Sequence, residues 1–222
     1  METQGETLRI DGRQLISTEL VAQVGEACDR AEALGGQGRL VVLASGAPAQ
    51  ARTEGLTVAL VSRWERALRR LERLPATIVG VADGEIGGPA LDALLATDYR
   101  IATPATRLVV PVSSGATWPG MALYRLAHQG SNTAAIRRAL LFGDPIGARD
   151  ALALQLIDEV SDDVAGALAA VAELTGALSG RELAIRRQLM IDAATTSFEE
   201  ALGVHLAACD RTLRLVSAEA VS

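Results

Sequence analysis

Gly87-Gly88-Pro89-Ala90 follows a buried-strand run at 76–82 and opens a helix carrying Leu91, Asp92, Leu94 and Leu95. The first turn of a helix leaves backbone N–H groups without partners and a partial positive charge around them, which suits a carboxylate, a phosphate or a developing negative charge. Pro89 has no N–H to give, and proline is favoured at the first helical position whatever the function; Gly88 and Ala90 are the remaining donors. Asp92 is the acidic residue of that helix, and an acidic residue in the first turn of a helix is stabilised by the macrodipole whatever the function.

Few other residues offer chemistry. His128 and His205 each sit alone among helix residues, with no Ser, Cys or acid at a triad spacing, and both read as structural. Asp83 reads as a turn residue and Glu85 as solvated loop. Ser113, Ser114 and Thr117 could hydrogen-bond a hydroxyl or water, but turn chemistry explains them equally well. All 21 basic side chains are Arg and none is Lys, so a lysine mechanism is excluded. Cys28 and Cys209 make no disulfide framework, and no Cys/His spacing suits zinc, so no metal is expected.

The elements that hold these residues follow from periodicity. Leu8 to Ile10 predicts a strand turned by Asp11-Gly12; Ser17 or Thr18 then caps a helix with Leu20, Val21, Val24, Ala27 and Ala31 on one stripe, stopped at Gly35-Gly36. Residues 39–44 predict a buried strand, 45–55 a loop, and 56–74 a helix whose stripe is Leu60, Val61, Trp64, Leu68, Leu71 and Leu74. Its Arg63, Arg66, Arg69, Arg70 and Arg73 read as a solvated face, or alternatively as a grip for a ligand phosphate or an acidic partner. Strands are expected at 98–102 and 108–110 and helices at about 132–142 and 146–154. From 163 on the pattern is helical, with breaks at 176–180 and 195–197.

Taken in order, 74–84 with Gly87-Gly88 and Asp98, then Pro111, Pro119-Gly120, the run Phe142-Gly143-Asp144-Pro145-Ile146-Gly147-Ala148-Arg149-Asp150-Ala151 and Leu156-Ile157-Asp158-Glu159-Val160 resemble the crotonase (enoyl-CoA hydratase/isomerase) superfamily. The resemblance implies an α/β fold, a spiral of strand-strand-helix turns over 1–175 and a C-terminal helical oligomerisation region at 176–222. It also implies a coenzyme A thioester as substrate with no further cofactor, its carbonyl held between two backbone N–H donors that stabilise an enolate. Candidate oxyanion and CoA contacts are then Gly87, Gly88 and Ala90 at the helix start, Gly46 or Ala47 after the early strand, and Gly120. By ungapped register one family donor falls on Pro89, so a slide to Gly88 or Ala90 is required. The loop that carries the other donor is cut down to Ser45-Gly46-Ala47-Pro48-Ala49. The two glutamates of the family's hydratases correspond to Asp92 and Val112, which implies Asp92 as a general acid or base if burial brings its pKa toward working pH; Val112 can be neither, so a two-carboxylate mechanism is not supported.

Thr117-Trp118-Pro119-Gly120-Met121-Ala122-Leu123-Tyr124-Arg125-Leu126, with the short loop, is similar to the short accessory crotonases of the DpgB type, which accompany a type III polyketide synthase in 3,5-dihydroxyphenylglycine biosynthesis. That implies help in dehydrating and aromatising a polyketide CoA thioester to 3,5-dihydroxyphenylacetyl-CoA. The competing expectations are an inert partner that stimulates the synthase by contact and, least favoured, an ordinary fatty-acid hydratase. Apolar stripes in the tail, including Leu183, Arg187 with Met190, Phe198, Leu202, Leu206 and Leu213, predict a homotrimer or hexamer. Net charge of −6 argues against a nucleic-acid partner. A polar start without a signal layout, and no apolar run of membrane length, give the expectation of a cytoplasmic protein without a membrane partner.

Overall fold

The apolar runs of the first 86 residues pair as parallel strands because helices return the chain between them, which buries both faces of a sheet. The computed structural model describes residues 5–35, 38–50, 53–113, 115–130, 133–176, 178 and 180–219; Gly36, Ser114 and Asn132 lie outside them. The first half runs β1 (Gly5–Asp11), α1 (Thr18–Ala33), β2 (Arg39–Gly46), α2 (Val58–Glu72), β3 (Thr77–Ile86), α3 (Gly88–Leu94), β4 (Tyr99–Ala102) and β5 (Arg107–Leu108). A small hairpin follows, β6 (Val112–Ser113) with β7 (Ala116–Thr117), then α4 (Met121–Gln129) and α5 (Thr133–Phe142). The remainder is β8 (Ile146–Gly147), α6 (Ala148–Ala153), β9 (Glu159–Val160), α7 (Val164–Thr175), α8 (Gly180–Ala193) and α9 (Phe198–Glu219).

The main sheet has the order β1-β2-β3-β4-β9, parallel throughout. β3 outlasts its apolar run: its first part pairs with β4, while Glu85 and Ile86 pair with β5, which in turn pairs antiparallel with β8. The change of partner occurs around Gly84, whose φ of +72° is open to glycine without strain. Asp83 and Glu85 therefore belong to a strand rather than a loop, and Asp83 accepts a hydrogen bond from the Thr103 hydroxyl.

Helix ends follow local chemistry. The Ser17 hydroxyl accepts from the Leu20 N–H and caps α1, and Thr57 does the same for α2 through the Leu60 N–H. On α2, Leu60, Trp64, Leu68 and Leu71 are buried, and Arg70 reaches Asp29 and Glu32 of α1. At least that arginine serves the fold. Arg100 donates to the carbonyls of Leu94, Leu95 and Thr97 at the end of α3 and to Leu156, holding the helix from its C-terminal side. Beyond 175 the chain is helical with breaks at the expected places, but Arg187 is not part of an exposed stripe. It is buried, and it ties α8 to the core. Phe198, Leu206 and Leu213 of α9 remain exposed. No helix among the described residues is long and apolar enough to cross a membrane.

Candidate active site

β1, β2 and β3 end side by side, and the segments that leave their carboxyl ends enclose one site, the usual place for a ligand in a parallel sheet. Three glycines let the strand ends approach. A Cβ on Gly12 would stand 2.1 Å from the carbonyl oxygen of Gly87 and 2.2 Å from that of Gly46, so only glycine fits there. The Gly12 N–H donates to Ser45 O (2.7 Å) and the Gly87 N–H to Gly46 O (3.0 Å). The Gly87 amide is thus engaged in backbone pairing. Gly88 opens α3 with φ +53°, and a Cβ on it would meet Gly12 O at 2.8 Å.

Over this junction lies a cavity of about 70 Å³. Gln14, Leu15 and Ile16 wall it from the β1–α1 connection, Pro48 and Leu56 from the β2–α2 connection, and Gly88, Pro89, Leu91 and Asp92 from α3. Val110, Pro111, Trp118, Ala122 and Leu123 complete it. Gly120, the N-cap of α4, lets Trp118 fold over it, since a Cβ there would meet the Trp118 indole nitrogen at 2.7 Å.

Asp92 is the one ionisable group among the described residues on this wall. It is the fifth residue of α3 and so lies past the first turn, which removes the macrodipole explanation for its presence. The indole N–H of Trp64, a side chain with no solvent exposure, donates to its Oδ2 at 3.0 Å. Burial pushes the carboxyl up from its ordinary value to about 6; the Trp64 hydrogen bond opposes this, Glu65 adds to it and Arg125 counters it. Arg125 is itself buried between Glu65 (2.9 Å) and Glu72 (3.0 Å), so the ionic cluster behind Asp92 is internally paired.

Of the other expected contacts, Ala90 is buried within α3, and Ala47 lies against Gly87, its Cβ 2.9 Å from where a Gly87 Cβ would stand. Val112 lies off the cavity wall and would crowd any side chain at Gly143. Thr117 donates to Leu140 O. His128 stacks on Tyr124 with ring centroids 5.5 Å apart. Cys28 is buried and its thiol is pushed up to about 11, mainly by burial. A larger cavity of about 600 Å³ lies at the other end of α3, beneath α4 and α8. Arg125 and Arg187 on its wall hydrogen-bond carboxylates, and Arg100 hydrogen-bonds main-chain carbonyls. Sequence reasoning missed Trp64, which looked like one more apolar residue of α2, and the close approach at Gly12, which looked like a plain turn.

No family model matches the chain. An enoyl-CoA hydratase of Amycolatopsis orientalis is 53% identical over 207 residues, spanning 93% of this chain and 95% of that protein. The chain belongs to the crotonase (enoyl-CoA hydratase/isomerase) family. Solved structures agree on the crotonase fold. An enoyl-CoA hydratase/isomerase of Marinobacter aquaeolei superposes with a TM-score of 0.78 at 16% identity, covering 96% of this chain and 90% of that one. An enoyl-CoA hydratase of Mycobacterium smegmatis gives 0.77 at 20% identity, covering 96% and 88%. This crotonase keeps the α/β sheet and the C-terminal helices, with a single carboxyl at its cavity among the described residues.

Proposed function

We propose that this protein binds a coenzyme A thioester and removes water from its acyl chain, with Asp92 as the proton-transfer group. The observation that carries the reading is Asp92 itself: a carboxyl raised to about 6 and alone on an apolar wall is poised to take and return a proton near neutral pH. Asp92 takes the C2 proton as the C–H electron pair moves toward the thioester oxygen. The enolate then collapses: the thioester C=O is restored, C2=C3 forms and the C3–O bond breaks, the hydroxyl leaving as water with the proton from Asp92. The N–H groups at the start of α3, with Gly88 on the cavity wall and Ala90 within the helix, are the donors assigned to the thioester oxygen.

The acyl group we assign is a poly-β-keto chain, dehydrated and aromatised to 3,5-dihydroxyphenylacetyl-CoA beside a type III polyketide synthase. Such a chain has acidic CH2 protons and gains resonance on losing water, so one carboxyl suffices. A groove over Arg13, Gln14, Leu15 and Gln23 adjoins the cavity and offers a path for the coenzyme A arm. The exposed apolar residues of α9 support assembly as a homotrimer or hexamer, read by light scattering on the purified protein. The test of function is product analysis by mass spectrometry with the synthase, malonyl-CoA and this protein added or withheld. Aromatic CoA product should rise with the protein and fall to the level without it for Asp92→Asn; an unchanged yield with Asp92→Asn removes Asp92 from the chemistry.

A second reading is favoured by Pro89, which supplies no N–H where a donor is wanted, and by the small cavity. In it, the protein stimulates the synthase by contact alone. Stimulation by Asp92→Asn equal to that by the wild type, with a complex detectable at micromolar concentration, supports it.

A further inference from the structure

Trp64 is the one side chain among the described residues that hydrogen-bonds Asp92, and it comes from a helix that sequence alone would treat as packing. The indole nitrogen can only donate. The oxygen it holds, Oδ2, must therefore be an acceptor whether the carboxyl is ionised or neutral. Oδ1 receives no hydrogen bond from any described residue, and it is not a sealed, unpartnered atom either. As Asp92 lines the cavity, Oδ1 is the oxygen left to face it.

We propose that Trp64 is a positioning residue which, by occupying Oδ2, confines the labile proton of Asp92 to Oδ1 on the cavity side. The inference rests on the reading of Asp92 as the proton-transfer group and adds to it how one carboxyl, with no second acid among the described residues of the cavity wall, presents its proton in a single orientation. The geometry is held from three sides. Trp64 is fully buried on the stripe with Leu60, Leu68 and Leu71; α3 is fixed at its far end by Arg100; and Leu126 of α4 is buried beside Arg125. The charged groups that face Asp92 are Glu65 of α2 and Arg125 of α4, with Glu72 paired to Arg125. The strands beneath α3 present the apolar side chains of Leu8, Ile10, Leu40 and Val42. The indole is thus the group that discriminates between the two oxygens.

The experiment replaces Trp64 by benzothienylalanine, which keeps the ring shape and lacks the N–H, with Trp64→Phe as a second variant. The Asp92 carboxyl is followed in the full-length protein by carbon-13 NMR of labelled aspartate, assigned by comparison with Asp92→Asn. Loss of a donor to the ionised form should move the titration upward by about one pH unit, a roughly tenfold change in proton affinity. The rising limb of kcat against pH should shift with it, while KM for the CoA thioester stays within about twofold. An unmoved titration in the folded isosteric variant overturns the proposal. A moved titration, together with full activity of Asp92→Asn, leaves the pairing standing and removes the catalytic reading beneath it.

Discussion

The guanidinium of Arg187 holds both carboxylate oxygens of Asp98, at 2.6 and 2.7 Å, across 89 residues of chain. The same side chain donates to the carbonyls of Glu72, Leu74 and Ala76, so one residue of α8 satisfies the end of α2 and the entry to β3 together. A forked, five-donor cation suits that task where lysine would not. Replacing Arg187 by Ala strands a partly buried carboxylate and several carbonyls. We expect a loss of about 3–5 kcal/mol in chemical denaturation, with faster amide exchange in α8 than elsewhere.

Asp92 opposes folding at neutral pH. The unfolded chain releases this proton near the ordinary value of 3.8, whereas the folded protein retains it to about 6. Between those values the unfolded state binds fewer protons, so the contribution to stability falls as pH rises from about 4 to about 7 and is constant beyond. Asp92→Asn should therefore be more stable than the wild type by up to about 3 kcal/mol at pH 7.5 and nearly equal to it at pH 4. Thermal melts of the two proteins across that range check it; a gap that does not widen with pH contradicts the burial argument.

Arg125 pairs with both Glu65 and Glu72 within reach of Asp92, and Glu72 has a second partner in Arg69. Arg125→Met leaves both carboxylates without it in a buried setting, with an expected cost of about 3–5 kcal/mol. It also removes the nearest charge that draws the Asp92 carboxyl down, so the carboxyl titration should move higher. An NMR titration of the variant, taken well below its melting temperature, reads this directly.

Gly88 and Gly12 approach each other closely beside the cavity. Gly88→Ala puts a Cβ 2.8 Å from Gly12 O at a φ of +53°, and should cost roughly 1–3 kcal/mol while displacing the start of α3. Calorimetry with acetyl-CoA is expected to show weaker uptake by the variant than by the wild type. Equal affinity would separate the start of α3 from the binding site.

The strands and helices of the first half were legible because each apolar run matches the period of its element, and Ser17 follows as a cap from hydroxyl chemistry; the two-residue strands β6 to β9 are too short to carry a period. The carboxyl at the site was legible as a position. Its environment was not: burial of Asp92, the indole above it and the paired charges behind it come from α2, α3 and α4 together, and no spacing along the chain encodes that meeting. Arg187 shows the same limit, since on a helical stripe with Met190 it reads as part of a surface for a partner subunit until the carbonyls it serves are known. The extension of β3 past Ala82 was hidden by the charges of Asp83 and Glu85, which point away from the core on an edge that β5 completes.

The chamber beside Asp92, at about 70 Å³, is far smaller than the roughly 300–1,000 Å³ of a typical ligand pocket. A guest must therefore displace side chains of the wall, with Trp118 and Leu56 the bulky ones that connecting segments contribute. Uptake then becomes a two-stage event in which the wall parts before the thioester settles. Observed rates in stopped-flow mixing should level off with rising ligand, and association should run well below the diffusional ceiling.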